Sequence, residues 1–364
     1  MAISIFDIVT PGNVIAYYDK RMANQETYMG ELLFPATKQL GTELTKIGGH
    51  AGVPVELKAS AFDVQATFRD RLSVETRTQT MPFFKEGMRV DEKIRQQLLN
   101  LASAGNSQVL APLVSNIFDD TSNLLRGARV VRERMAMELI ATGKIAVNSN
   151  GVAMEYDYGL DEDYQKVVTD KAWSDTDTAV PLKDMRDWVE KFKIKYGVNL
   201  GYAVMTSKTF SYIANNKNVI KQLYPTLADP SGLLIRNEQV KQLVQDAVGV
   251  QILINDNIYA TQVRGANKKF FPDDVISFLP MGGRLGNMVF GTTPEEVDLM
   301  NSALTSAKVQ ITDTGVAVKT SVSYDPVNVN TIVSQICLLS NIQRNPFLLS
   351  RYLIQMGLVC KHQI

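Results

Sequence analysis

Apolar and polar residues repeat with different periods along the chain, and each period predicts a different element. From Val53, the apolar residues Val53, Val55, Leu57, Ala59 and Ala61 alternate with Glu56, Lys58 and Ser60, the two-residue period of a strand. From Arg71 to Met81, Leu72 and Val74 share a face with Thr76, Thr78 and Thr80, while Ser73, Glu75, Arg77 and Gln79 line the other. Together these predict a long ribbon with little core on either face. A lone two-stranded ribbon is marginal in water, so it is expected to rest on another subunit; the alternative is a solvent-facing hairpin. Residues 1–48 offer only short apolar pieces (Ile3, Ile5, Phe6, Ile8, Val9) between turns such as Thr10-Pro11-Gly12. They predict an extended arm, with a short strand or turn over Thr27–Phe34, laid on its own body or on a neighbour.

Helical periods begin later. Val90–Leu101 predicts a helix, followed by a looser segment with Ser103, Gly105 and Pro112. Asp119, Asp120, Thr121 and Ser122 offer capping oxygens for the strongest helix, and Gly143 supplies its stop. Its stripe is Leu124, Ala128, Val131, Met135 and Leu139, and Val130, Met137 and Ile140 off the stripe predict more than one neighbour. Arg126, Arg129, Arg132 and Arg134 mix with Glu133 and Glu138 there, as a solvated face or a subunit interface; Arg129–Glu133 and Arg134–Glu138 stand at i,i+4.

Beyond it, Lys144–Tyr158 predicts a hairpin turning at Asn150-Gly151, and Asp157–Asp177 an acidic loop. Pro181–Tyr196 is amphipathic, with Met185, Trp188, Val189 and Phe192 on one face. A strand over Tyr202–Met205, a helix over Ser207–Asn215 and a loop over Tyr224–Gly232 follow. Asn237–Val248 predicts a helix with Val240, Leu243, Val244 and Ala247 inward, ended by Gly249 before a buried strand, Val250–Ile254. Residues 180–305 thus alternate helices with strands, an α/β or α+β layer. Lys308–Ile311 and Val316–Tyr324 are strands across an Asp313–Gly315 turn, and Ile332–Leu339 is another.

Composition narrows the class. The chain has 364 residues, 38 basic against 38 acidic, with 45% hydrophobic and 21% charged residues, an ordinary globular balance of two or three structural units. Zero net charge argues against holding nucleic acid by bulk charge. Cys337 and Cys360 cannot make a disulfide framework or a zinc pair, and His50 and His362 are the only histidines. No run approaches the ~20 apolar residues of a membrane span, and the amino end lacks a secretory pattern. These features predict maturation in a reducing cytoplasm.

Candidate chemistry is thin. Gly143-Lys144 lacks the upstream glycine and following Ser/Thr of a phosphate loop and ends a helix instead of starting one. A strand pattern follows Gly282–Gly286, so that stretch reads as a turn needing positive φ. Asn255-Asp256-Asn257 reads as a hairpin turn and not a calcium loop. Glu295-Glu296 after Pro294 reads as an acidic first helical turn, and Cys337 as a core thiol. No catalytic, metal or cofactor residue stands out.

Four stretches nevertheless stand in a telling order. They are Arg77-Thr-Gln-Thr-Met-Pro-Phe-Phe-Lys85; Arg132-Glu-Arg-Met-Ala-Met-Glu-Leu-Ile-Ala-Thr-Gly-Lys144; Phe271–Pro280 running to Arg284–Gly291 and Thr293-Pro-Glu-Glu296; and Ser323-Tyr-Asp-Pro326. With the arm, ribbon, spine helix and late strands, they resemble the major capsid proteins of tailed bacteriophages, and more narrowly the lambda-type capsid protein E family.

The resemblance implies an α+β Johnson fold. It divides the chain into an N-terminal arm over 1–48 and an extended loop over 49–88. A peripheral domain follows over 89–178 and 306–330, with a spine helix over about 120–143, then an axial domain over 179–305 and 331–364. It implies no enzyme and no cofactor, but a virion protein whose hexamers and pentamers form an icosahedral head around double-stranded DNA contacted non-specifically. Assembly in the host cytoplasm is implied, with a separate scaffolding protein (no long charged helix precedes the arm), a portal, and room for a decoration protein. Inter-subunit contact candidates are Arg69, Asp70, Arg71, Glu75, Arg77, Arg126, Arg129, Arg132 and Glu133. An encapsulin-like shell with protein cargo and a cytosolic α/β enzyme using residues 180–305 are the competing readings.

Overall fold

The computed structural model describes residues 9–23, 27–48, 75–103, 107–159, 172–225, 235–262, 265–299, 307–340 and 348–350. The chain opens with helix α1 (Pro11–Met22), a short helix α2 (Met29–Leu33), and strands β1 (Ala36–Lys38), β2 (Glu43–Gly48), β3 (Glu75–Thr80) and β4 (Phe83–Val90). Helices α3 (Glu92–Ser103) and α4 (Ser107–Thr142) lead to the hairpin β5 (Lys144–Ser149) and β6 (Val152–Asp157). Next come α5 (Pro181–Tyr196), β7 (Leu200–Met205), α6 (Ser207–Ala214), α7 (Lys217–Leu223), α8 (Asn237–Val248) and β8 (Gln251–Ile254). Short strands β9 (Ile258–Ala260) and β10 (Asn267–Lys269) precede β11 (Ile276–Pro280) and β12 (Asn287–Phe290). After a wide helical turn, Glu295–Leu299, the strands are β13 (Lys308–Thr312), β14 (Val316–Tyr324), β15 (Val327–Ser340) and β16 (Leu348–Ser350).

The described residues fall into two compact units. The first takes those within Met1–Lys46, Arg77–Arg134 and Asn287–Ser340; the second those within Ile47–Thr76, Met135–Gly286 and Asn341–Ile364.

The first unit is organised by β15, whose 14 residues pair antiparallel with β14 over 327–335, β4 over 329–336 and β12 over 337–340. Strand β1 extends the sheet parallel to β12, and β13 extends it beyond β14. Residues 331–340, expected with the axial part, therefore continue the same strand as 327–330. The arm is not extended over 11–22. Thr10 accepts the Asn13 amide at 3.3 Å and Pro11 fills the first helical turn, so α1 starts there. Val14, Ile15 and Tyr18 form its buried face. Tyr17 stacks on Phe118 with ring centres 5.4 Å apart, and its hydroxyl donates to Asp119 at 2.8 Å. The arm's helix thus lies on its own unit.

The second unit carries the sheet β16–β11–β7–β8, in which β7 and β8 are parallel and the other pairings antiparallel. Trp173 stacks on Trp188 at 5.7 Å, and Trp188 meets Phe278 of β11 edge-on at 6.3 Å. Helix α8 contributes Val240 and Val244, both fully buried, and Val248 packs against the core; Ala247, expected inward, is exposed. Residues 255–257, expected as a hairpin turn, connect β8 to β9 without making a hairpin, because β8 pairs with β7 and β9 with β10. Asp256 there accepts the Ser207 amide at 3.0 Å, and Asn255 is buried.

Helix α4 is longer than the expected 120–143. Its start is Ser107, because Thr121 and Ser122 do not cap. The Thr121 hydroxyl donates to the Ile117 carbonyl at 3.0 Å and that of Ser122 to Asp119 at 3.0 Å, which keeps both inside a continuing helix. Gly143 ends it at φ 73°, its amide bonded to Leu139 O at 2.7 Å. Residues Met135, Ala136, Met137, Leu139, Ile140 and Ala141 are all buried, so Met137 and Ile140, off the stripe, do find neighbours, while Val130 is only half-buried. The hairpin turns at Asn150-Gly151, both at positive φ. Gly282 and Gly283 are also at positive φ.

Candidate contact surfaces and the charged cleft

Three of the nine sequence-derived contact candidates converge on one cleft in the first unit, about 550 Å³ in volume. Arg129 forks onto Glu31 of α2, with Nε to Oε1 and Nη2 to Oε2 both 2.5 Å. It also lies 4.8 Å over the Tyr28 ring. One turn on, Arg132 donates to Asp313 of the β13–β14 turn at 3.0 Å and sits 5.5 Å over the Phe290 ring. Glu133 accepts the Gly30 amide at 2.7 Å. Arg132 and Glu133 are 6% and 1% exposed, so their charge is engaged within the chain and is not offered at its surface. Hydrogen bonding to Glu31 foremost holds the Arg129 pKa above its ordinary value.

Arg126 remains exposed, with Asn123 accepting from it at 3.1 Å. Glu75 and Arg77 stand on β3, and Arg69, Asp70 and Arg71 lie outside the described residues. The partners of Arg129, Arg132 and Glu133 were missed because they lie far along the chain. Glu31 is 98 residues from Arg129 and Asp313 is 181 from Arg132, and no local period links them. The Glu31 position did carry a signal, for its side chain accepts the Tyr28 amide three residues earlier, at 3.3 Å.

A second charged set ties the recognised stretches to one another. Lys85 pairs with Glu295 at 2.7 Å, and Ser334 of β15 donates to the same carboxylate at 2.9 Å. Lys38 of β1 reaches Glu296 at 2.6 Å and the Gly291 carbonyl at 3.0 Å. Burial would raise the Glu295 pKa, but Lys85, its own backbone amide and Ser334 together hold it below the ordinary value. The Glu295–Glu296 pair therefore joins strands as well as opening a helical turn. Cys337 is fully buried, and burial pushes its thiol up to about 12, so it is inert. Among the described residues no group of three or more His, Cys, Asp and Glu could hold a metal ion, and no helix is long and apolar enough to cross a membrane.

Comparison with known proteins identifies the family. The profile of the phage major capsid protein E family matches residues 14–339. The chain belongs to that family. It is a phage major capsid protein, a structural subunit of the head shell and a component of the virion. No curated protein matches it. Among solved structures, a prophage protein of Escherichia coli CFT073 described as a capsid protein superposes with a TM-score of 0.52. It is 16% identical, with 94% of this chain and 99% of that one covered. A phage-related protein of Bordetella bronchiseptica RB50 gives 0.50 at 13% identity, covering 94% and 98%. The capsid subunit of cyanophage A-1(L) gives 0.50 at 13%, covering 91% and 93%. At these identities the likeness establishes the fold, the α+β Johnson fold of tailed-phage capsid proteins. The capsid subunits associate with copies of themselves into a shell, and the reading as a cytosolic enzyme falls away.

Proposed function

We propose that copies of this capsid protein assemble as hexamers and pentamers around double-stranded DNA, with the extended loop over 49–88 reaching between them. The observation that carries this reading is the ribbon β2–β3, which among the described residues forms a separate two-stranded sheet. Such a ribbon needs a surface to rest on, and a shell of identical copies supplies one. In this reading Arg69, Asp70, Arg71, Glu75, Arg77 and Arg126 make pairs across subunit boundaries. Each such pair is worth ~0–1 kcal/mol, so strength comes from repetition over the shell. Arg129, Arg132 and Glu133 shape the surface from within.

The domain reading that accompanies it keeps the arm at 1–48, a peripheral domain at 89–178 with 306–330, and an axial domain at 179–305 with 331–364, except that residues 331–340 go with β15, the strand they continue. A separate scaffolding protein, a portal and a decoration protein are its further partners, and zero net charge suits a wall that does not trap DNA. Electron microscopy of particles from cells expressing the chain with its scaffold tests this. Six- and five-fold capsomers are expected, with the part of 49–88 that precedes β4 lying on a neighbouring copy. Particles in which those residues touch only their own chain would overturn it.

A further inference from the structure

Glu133 has the geometry of a poorly compensated buried charge. Its carboxyl is 1% exposed; Oε2 takes the Gly30 amide at 2.7 Å, and Oε1 has no hydrogen-bond partner among the described residues. Of the two charged groups that act on it, Arg129 is already engaged by Glu31, and Glu31 is of the same sign. On α4, Arg129 is forked onto Glu31, and Arg132 donates through Nη2 alone to Asp313 of the β13–β14 turn, its Nη1 having no hydrogen-bond partner among the described residues. The α2 segment adds Glu31 and the Tyr28 hydroxyl, and α1 brings Asp19 and Tyr18 to the same cleft. Gly30 and Leu33 of α2 are buried, so the five residues Met29–Leu33 close over the carboxyl with one amide bond to it.

We propose that Glu133 is a proton-operated clasp on the arm: uncharged, it lets residues 28–33 close against α4, and ionised, it loosens them. Burial pushes the Glu133 pKa up, opposed by the Gly30 amide, reinforced by Glu31 and opposed again by Arg129, leaving it at about 7. When the segment opens, the carboxyl meets water and returns towards the ordinary value of 4.5. The closed form therefore binds the proton more tightly. Its advantage is fully present below about 4.5, falls as pH rises towards 7, and levels off above that. With those two values, the opening equilibrium grows about tenfold between pH 6 and pH 8. The neighbouring Arg129–Glu31 fork keeps the segment's register while the clasp loosens.

The test is hydrogen exchange by mass spectrometry on the full chain at pH 6 and pH 8, corrected for the intrinsic rate, with the amides of α8 as an internal reference. Wild-type protection over residues 29–34 is expected to drop about tenfold at pH 8 while α8 stays constant. Glu133→Gln, which cannot ionise, is expected to show no such drop and to be as protected at pH 8 as wild type at pH 6. A flat wild-type profile overturns the proposal, and so does a Glu133→Gln profile with the wild-type drop. Should the variant fail to fold, the wild-type profile alone still decides.

Discussion

The unit built on β7, β8, β11 and β16 keeps its charges at the rim, whereas the unit built on β15 takes several inside. In the former, Lys208–Asp274 and Lys269–Asp273 pair with their lysines 48% and 36% exposed, above a core of Trp173, Trp188, Phe192 and Phe278. In the latter, Arg132, Glu133 and Glu295 are all buried. Burial alone does not set how such a charge behaves. Glu295 has a lysine and a hydroxyl on it and stays ionised, while Glu133 has one amide and is pushed towards neutrality. Both units have apolar cores, with Val14, Phe34, Phe290, Val318 and Leu338 in the one built on β15; that unit adds buried charges, so it should respond to lost partners as well as to lost volume.

The sharpest break of that contrast is Phe278→Ala. Phe278 is fully buried against Trp188, so a loss of ~3–5 kcal/mol is expected, read by denaturation followed through tryptophan fluorescence. In the other unit, Arg129→Met removes the fork on Glu31 and should cost ~1–3 kcal/mol. Protease access at α2 should rise while the tryptophan transition stays put, and a shift of that transition would show that the units do not respond separately. Gly315→Ala belongs at a comparable ~1–3 kcal/mol, because its new Cβ would stand 2.5 Å from the Phe290 Cβ in the wall beside Arg132. A smaller effect is expected from acid. Glu295, held below its ordinary pKa, contributes stability above that ordinary value, and the contribution is lost as pH falls through the lowered one. Lys85→Met should remove much of this dependence in thermal unfolding scanned over acid pH. Least of all, Arg126→Glu at an exposed site should change stability by under ~0.5 kcal/mol.

Sequence and structure agree most where local periods decide. The helices Pro181–Tyr196 and Asn237–Val248, the Asn150-Gly151 hairpin and the strands about Asp313–Gly315 all follow from spacing and turn chemistry. Helix α1 was legible too, through Thr10-Pro11 and the spacing of Val14, Ile15 and Tyr18, but the scattered apolar residues before it suggested an extended arm laid on a body or a neighbour, with no helix in it. The start of α4 misled because Thr121 and Ser122 are good caps in isolation and equally good donors to the preceding turn. The charged cleft was beyond local reading. Arg129 and Glu133 look paired at i,i+4, yet Arg129 forks onto Glu31 and Glu133 takes the Gly30 amide, and only the folded chain brings those groups near. The resemblance to the family rests on the order of four stretches, and the structure gives that order a physical link in Lys85–Glu295.

In the division of charges proposed above, Arg129, Arg132 and Glu133 serve the chain's own fold, and Arg69, Arg71 and Arg126 serve contacts between copies. Sedimentation velocity of an Arg69→Glu, Arg71→Glu, Arg126→Glu chain, made with its scaffold and checked for wild-type thermal unfolding, tests this most directly. The expected result is a folded chain that sediments as small species with few or no shells. Shells in wild-type amount would contradict it.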